Sequence, residues 1–141
     1  MSGLGSILIG MSALIFLVLG SIHLYLSFFS RVFYPRDDHL LDLMQSNSPR
    51  LTRQTTLWRA GLGFHASHSL GAMLYGALFL YFVTIVPDFF FKQDFLLVIG
   101  FIYVACMFAL ARRYWFRVPF YGTALASILY LVGGVVARFS P

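Results

Sequence analysis

The 141-residue chain is 60% hydrophobic, 18% aromatic and only 11% charged, with a mean hydropathy of +0.82. Soluble domains run near 45–50% apolar and about 25% charged, so a soluble globule, a disordered tail and a disulfide scaffold are excluded, and an integral membrane protein is expected. The net charge of +5 does not point to nucleic acid, because the basic residues fall at the ends of apolar runs and form no stripe interleaved with aromatics.

Four apolar runs stand out, at about residues 4–29, 57–86, 95–111 and 118–137. Each reaches the roughly 17–25 residues that a helix needs to cross a bilayer core. The alternation of a membrane β-barrel is absent. The expected fold is therefore all-α: one domain over residues 1–141 with four transmembrane helices. The first run has no Lys or Arg before it and no A-x-A site after it, so it reads as a retained helix and not a signal peptide.

The first connection, about residues 30–56, is the only sizeable extramembrane piece. Pro35 ends the preceding structure, and Asp37 or Asp38 can cap a short helix. Leu40, Leu41, Leu43 and Met44 then lie opposite Asp37, Asp38 and Asp42, as in an amphipathic helix on a membrane surface. Asn47-Ser48-Pro49 stops it, and Ser48 with Pro49 offers an early start for the second long helix. Pro87 to Asp94 is expected to be a turn, with Phe89, Phe90 and Phe91 as an interfacial anchor. Arg112 to Arg117 reads as an interface belt, with Arg112 and Arg113 among headgroups. Arg59 is a candidate to meet a lipid phosphate or an Asp of the first loop.

Eight of the ten basic residues (Arg31, Arg36, Arg50, Arg53, Arg59, Arg112, Arg113 and Arg117) share one side, against Lys92 and Arg138 on the other. By the positive-inside rule both termini face away from the cytoplasm, as expected for a multi-pass protein of the inner (cytoplasmic) membrane.

Chemistry-bearing residues are few. There is no glutamate, and the five aspartates all lie between the apolar runs, so a carboxylate-bridged metal centre or an intramembrane proton relay is not expected. The single cysteine, Cys106, permits no intrachain disulfide and reads as a small buried apolar group. Ser67 and Ser69 flank His68, yet no acid lies at that depth to orient a nucleophilic Ser/His pair. His39 falls in the loop and is expected to be solvated.

His23 lies in the first run, and His65 and His68 in the second. His23 is seven residues before Ser30, and His65 seven after Trp58. At 1.5 Å per residue both sit roughly 10 Å inside the membrane, at one level. Gly61, His65, His68, Ser69, Ala72 and Gly76 recur at spacings of three and four, and Gly20, His23 and Ser27 share a face. Cys106, Thr123 and Ser127 are candidates to join this small, polar seam. Four uses are open: interhelical hydrogen bonding within a structural or accessory subunit, b-type haem held by His23 with His65 or His68, a metal held by His23, His65 and His68, or a pocket for a lipid-like ligand. The first, a non-catalytic structural or accessory role, is the expected one, because the sequence carries no intramembrane acid, no nucleotide loop and no strong metal motif. Partners would be the bilayer and other membrane subunits or a second copy, with no nucleic acid.

The stretch Leu51-Thr52-Arg53-Gln54-Thr55-Thr56-Leu57-Trp58-Arg59, followed by Gly63-Phe64-His65-Ala66-Ser67-His68-Ser69-Leu70-Gly71, resembles a family of small uncharacterised bacterial four-helix integral membrane proteins. So does Ala111-Arg112-Arg113-Tyr114-Trp115-Phe116. The resemblance implies a bacterial four-helix membrane protein and carries no activity. Sterol-isomerase-like and sigma-2-receptor-like proteins share the four-helix architecture, but look to intramembrane acids that this chain lacks.

Overall fold

The structure is a computed structural model that describes residues 3–139. The expected domain over residues 1–141 includes Met1, Ser2, Ser140 and Pro141, which lie outside the described residues. Six helices follow in order: α1 (Gly3–Phe29), α2 (Asp38–Ser46), α3 (Leu57–Ile85), α4 (Pro87–Lys92), α5 (Asp94–Tyr114) and α6 (Arg117–Phe139). No strand occurs among the described residues. α1, α3, α5 and α6 are long and apolar enough to cross a membrane. In hydrocarbon each backbone N–H and C=O must be satisfied within its own segment, which is why these runs form helices. The chain is thus a multi-pass membrane protein whose surroundings are lipid. Large side chains accordingly point outward, with Phe64 77% and Phe95 74% exposed.

The helix ends show how polar residues terminate apolar runs. Asp37 caps α2 by accepting from His39 N at 3.0 Å, and the Asn47 N–H closes the helix on Leu43 O. Ser48 and Pro49 do not start α3 early. Thr56 does so instead, its Oγ1 accepting from Arg59 N at 3.2 Å. Residues 87–92, expected to be a turn, form α4, begun by Pro87 at a first-turn position where its missing N–H costs nothing. Within α4 the expected anchor divides: Phe89 is exposed, while Phe90 is wholly buried. α5 continues to Tyr114, three residues beyond the expected end, because Arg112 and Arg113 in its last turn complement the helix dipole. The connection to α6 shrinks to Trp115 and Phe116.

The chain divides into two compact units. One comprises the described residues up to Leu19 and those from Ala72 onward. Its core is aromatic: Tyr75 and Tyr103 stack at 4.1 Å, and Phe16 meets both edge-on at 5.3 Å. Ile9, Ala13, Ala72, Phe79, Val83, Phe90, Val104, Met107, Ala126 and Tyr130 pack around them. Glycine is required where helices nearly touch. A β-carbon at Gly76 would lie 2.7 Å from Ala13 O and 2.8 Å from Leu17 N of α1. α6 is tied to α5 by Tyr130 OH, which donates to Leu97 O at 2.9 Å, and by Ser127 Oγ, which donates to Val104 O at 3.2 Å. Without a hydrophobic force between helices in lipid, such close approaches and polar contacts carry association.

The other unit is Gly20–Gly71. It holds the last turns of α1, the loop with α2, and the first half of α3. Leu57 N donates to Asn47 O at 2.9 Å, and Tyr34 packs edge-on against Trp58 with ring centres 4.7 Å apart. These contacts fix both ends of the loop against the start of α3.

Candidate functional site

The histidines come together within the Gly20–Gly71 unit. His23 of α1 and His65 of α3 meet directly, His23 Nε2 lying 3.0 Å from His65 Nδ1, with ring centres 5.1 Å apart. One of these nitrogens carries hydrogen and donates while the other accepts, so a neutral pair is matched by a single proton. The ring of His68, one turn further along α3, meets His23 edge-on at 5.7 Å. Phe33, from the loop, stacks on His65 at 5.1 Å and lies 4.7 Å from His23. The turn closed by Tyr34 N on Arg31 O at 3.0 Å places Phe33 there. All three histidines are half-buried.

The neighbouring hydroxyls turn back onto their own helices. Ser27 Oγ donates to His23 O at 2.7 Å, and Ser69 Oγ donates to His65 O at 2.8 Å. Ser67 Oγ donates to Phe64 O at 3.1 Å. These bonds hide hydroxyls in an apolar setting and leave them unaimed at a ligand. Among the described residues Arg138 pairs with Asp94, while His23 and His65 pair with each other and not with an aspartate.

The wider seam divides. Ser69 is buried beside His65, but Cys106 and Thr123 belong to the other unit. Cys106 is exposed on α5, contrary to the expected burial. Thr123 is buried, with Oγ1 donating to Pro119 O at 2.9 Å. Among the described residues no three His, Cys, Asp or Glu side chains are placed to hold a metal ion together; His23 and His65 bring two ring nitrogens to 3.0 Å. A porphyrin between His23 and His65 would have to part rings that are in hydrogen-bond contact. Arg59 is exposed and pairs with no aspartate. Arg112 is exposed at the end of α5, and Arg113 lies over the Tyr114 ring at 5.8 Å. His39 is exposed on α2.

Phe33 was not singled out from the sequence. Its only signal is an aromatic residue four positions past the end of α1, which fixes no direction in space.

No known protein family, curated protein or solved structure matches the chain.

Proposed function

We propose that this chain is a non-enzymatic, multi-pass protein serving as a structural or accessory component of a larger membrane assembly, with His23 and His65 acting as a polar clasp. One observation carries this reading: the two ring nitrogens satisfy each other at 3.0 Å, in a setting without an orienting acid. An imidazole in lipid needs a partner, and here the partner is the other imidazole. The arginine asymmetry supports an orientation with the α2 loop in the cytoplasm.

The test is His65→Gln in protein purified from its native membrane in mild detergent. The expected variant is folded and keeps the absorption spectrum, metal content and co-purifying subunits of the unaltered protein. Loss of a Soret band or of one metal equivalent per chain would overturn the clasp.

The convergence of the two nitrogens also favours a second reading, a metal ion in place of the shared proton. Two nitrogens on one tetrahedral zinc at about 2.0–2.1 Å stand roughly 3.3 Å apart, close to the separation here. Stoichiometric zinc or copper lost in both His23→Gln and His65→Gln would establish that reading; metal content independent of both would dismiss it.

A further inference from the structure

A groove of about 510 Å³ runs between α5 and α6, walled by Leu97, Phe101, Leu131 and Gly134 and ending at Asp94 and Arg138. Its walls are mainly apolar, and the one hydroxyl among them, that of Tyr130, gives its proton to Leu97 O. Its mouth is charged. Arg138 Nη1 donates to Asp94 Oδ1 at 2.7 Å, and the two side chains are 64% and 74% exposed. Asp94 opens α5 and Arg138 lies in the last turn of α6, so both charges stand at one membrane boundary. From Asp94 to Phe101 the groove descends seven residues, roughly 10 Å at 1.5 Å per residue, against about 15 Å for half of a 30 Å hydrocarbon core.

The geometry points to a site for one phospholipid with a primary-amine zwitterionic headgroup, a phosphatidylethanolamine, with an acyl chain in the groove. Charge complementarity selects this occupant. A guanidinium has five N–H donors, and Asp94 uses one, leaving others for a phosphate. The second carboxylate oxygen of Asp94 can accept from an ammonium, which has three donors. A choline headgroup has no N–H for Asp94. A glycerol headgroup matches Arg138 but sets no cation against Asp94. Gly134 leaves the floor open: a β-carbon there meets nothing within 4 Å, so the groove can be filled without disturbing a neighbour.

The test uses the full chain in nanodiscs of equal parts palmitoyl-oleoyl phosphatidylethanolamine, phosphatidylcholine and phosphatidylglycerol, with retained lipid read by native mass spectrometry. The expected result is one phosphatidylethanolamine per chain, at least threefold above either other lipid. Gly134→Phe should lower its retention at least fivefold. Asp94→Asn should abolish the preference for phosphatidylethanolamine while lipid is still retained. Circular dichroism and gel filtration verify folding; if Gly134→Phe fails to fold, Gly134→Leu and Asp94→Asn decide. Equal retention of the three lipids, phosphatidylethanolamine retention unchanged by groove filling, or a second copy of the chain displaced by Gly134→Phe would each overturn the site.

Discussion

Gly100 is the position where the structure makes the sharpest energetic demand. A β-carbon there would collide with the hydroxyl of Tyr130 and the ring of Phe79, whose Cζ would lie at 2.7 Å. Both rings are buried, at 3% and 6% exposure, so neither can swing into open space. Gly100→Ala must therefore push Tyr130 aside and break its bond to Leu97 O. Overpacking costs about 1–3 kcal/mol, and loss of an interhelical polar bond in a membrane protein adds about 0.6 kcal/mol. Better helix propensity returns up to about 1 kcal/mol, so the net expectation is roughly 1–3 kcal/mol of destabilisation. Reversible unfolding in mixed micelles, titrated with a denaturing detergent, measures it. The partner substitution Tyr130→Phe removes the colliding oxygen. Gly100→Ala with Tyr130→Phe should thus cost less than the sum of the single changes, the residue being the contact with Phe79. A Gly100→Ala protein as stable as the parent, or strict additivity in the cycle, would refute this packing.

The opposite outcome is expected at Gly61, Gly63 and Gly71, where a β-carbon meets nothing within 4 Å. Alanine at any of them should leave stability unchanged or raise it by up to about 1 kcal/mol in the same unfolding titration. Tyr75 OH and Ser12 Oγ are buried without a hydrogen bond of standard geometry. Tyr75→Phe should therefore be neutral or stabilising by up to about 1 kcal/mol, and a loss above about 1 kcal/mol would show that the hydroxyl has a partner. For orientation, Ser48→Cys in a Cys106→Ser background should resist an impermeant maleimide in intact cells and react in inverted vesicles; the reverse pattern would place the α2 loop outside the cytoplasm.

The spans were legible because their physics is one-dimensional. Length and apolarity decide whether a run can cross a bilayer, and backbone satisfaction then dictates a helix. Their ends were legible to within three residues, the widest error falling at Tyr114, where Arg112 and Arg113 mimic a turn but complete the helix. α4 was missed because six residues carry too little periodicity to register, although Pro87 marked its start. Inward and outward faces were less legible. A soluble helix declares its buried side by polar residues on the other, whereas the middle of α5 is apolar on its buried and its exposed side alike. Cys106 and Phe90 were misjudged for that reason: nothing in the local sequence separates a lipid-facing cysteine from a packed one, or an anchoring phenylalanine from a core one. The level of His23 and His65 followed from helix rise, which is fixed, but Phe33 depends on a loop path that no repeat encodes.

The choice of histidine at positions 23 and 65 is itself informative. Ser27, Ser69, Thr84 and Thr123 each bond a carbonyl of their own helix and so need no cross-helix partner, whereas Ser127 bonds both Thr123 O of its own helix and Val104 O of α5. An imidazole has two ring nitrogens and carries them further from the backbone; it must be matched from outside its own turn, as His23 and His65 match each other. The paired substitution should therefore cost less than either single one. Replacing one histidine leaves the other ring nitrogen bare in an apolar setting. His65→Leu alone should cost about 1–2 kcal/mol, and a His23→Ala/His65→Ala cycle should show coupling of about 0.6 kcal/mol, reaching about 1.7 kcal/mol at most. Replacing both with leucine removes donor and acceptor together, and should be nearly neutral for stability. That double variant separates the clasp from a ligand site, because it preserves the fold while deleting the nitrogens. If it is stable and still associates with the same subunits, the pair exists to hold α1 to α3. If it is stable but loses a bound metal or chromophore, the hydrogen bond is the resting form of a site with another occupant.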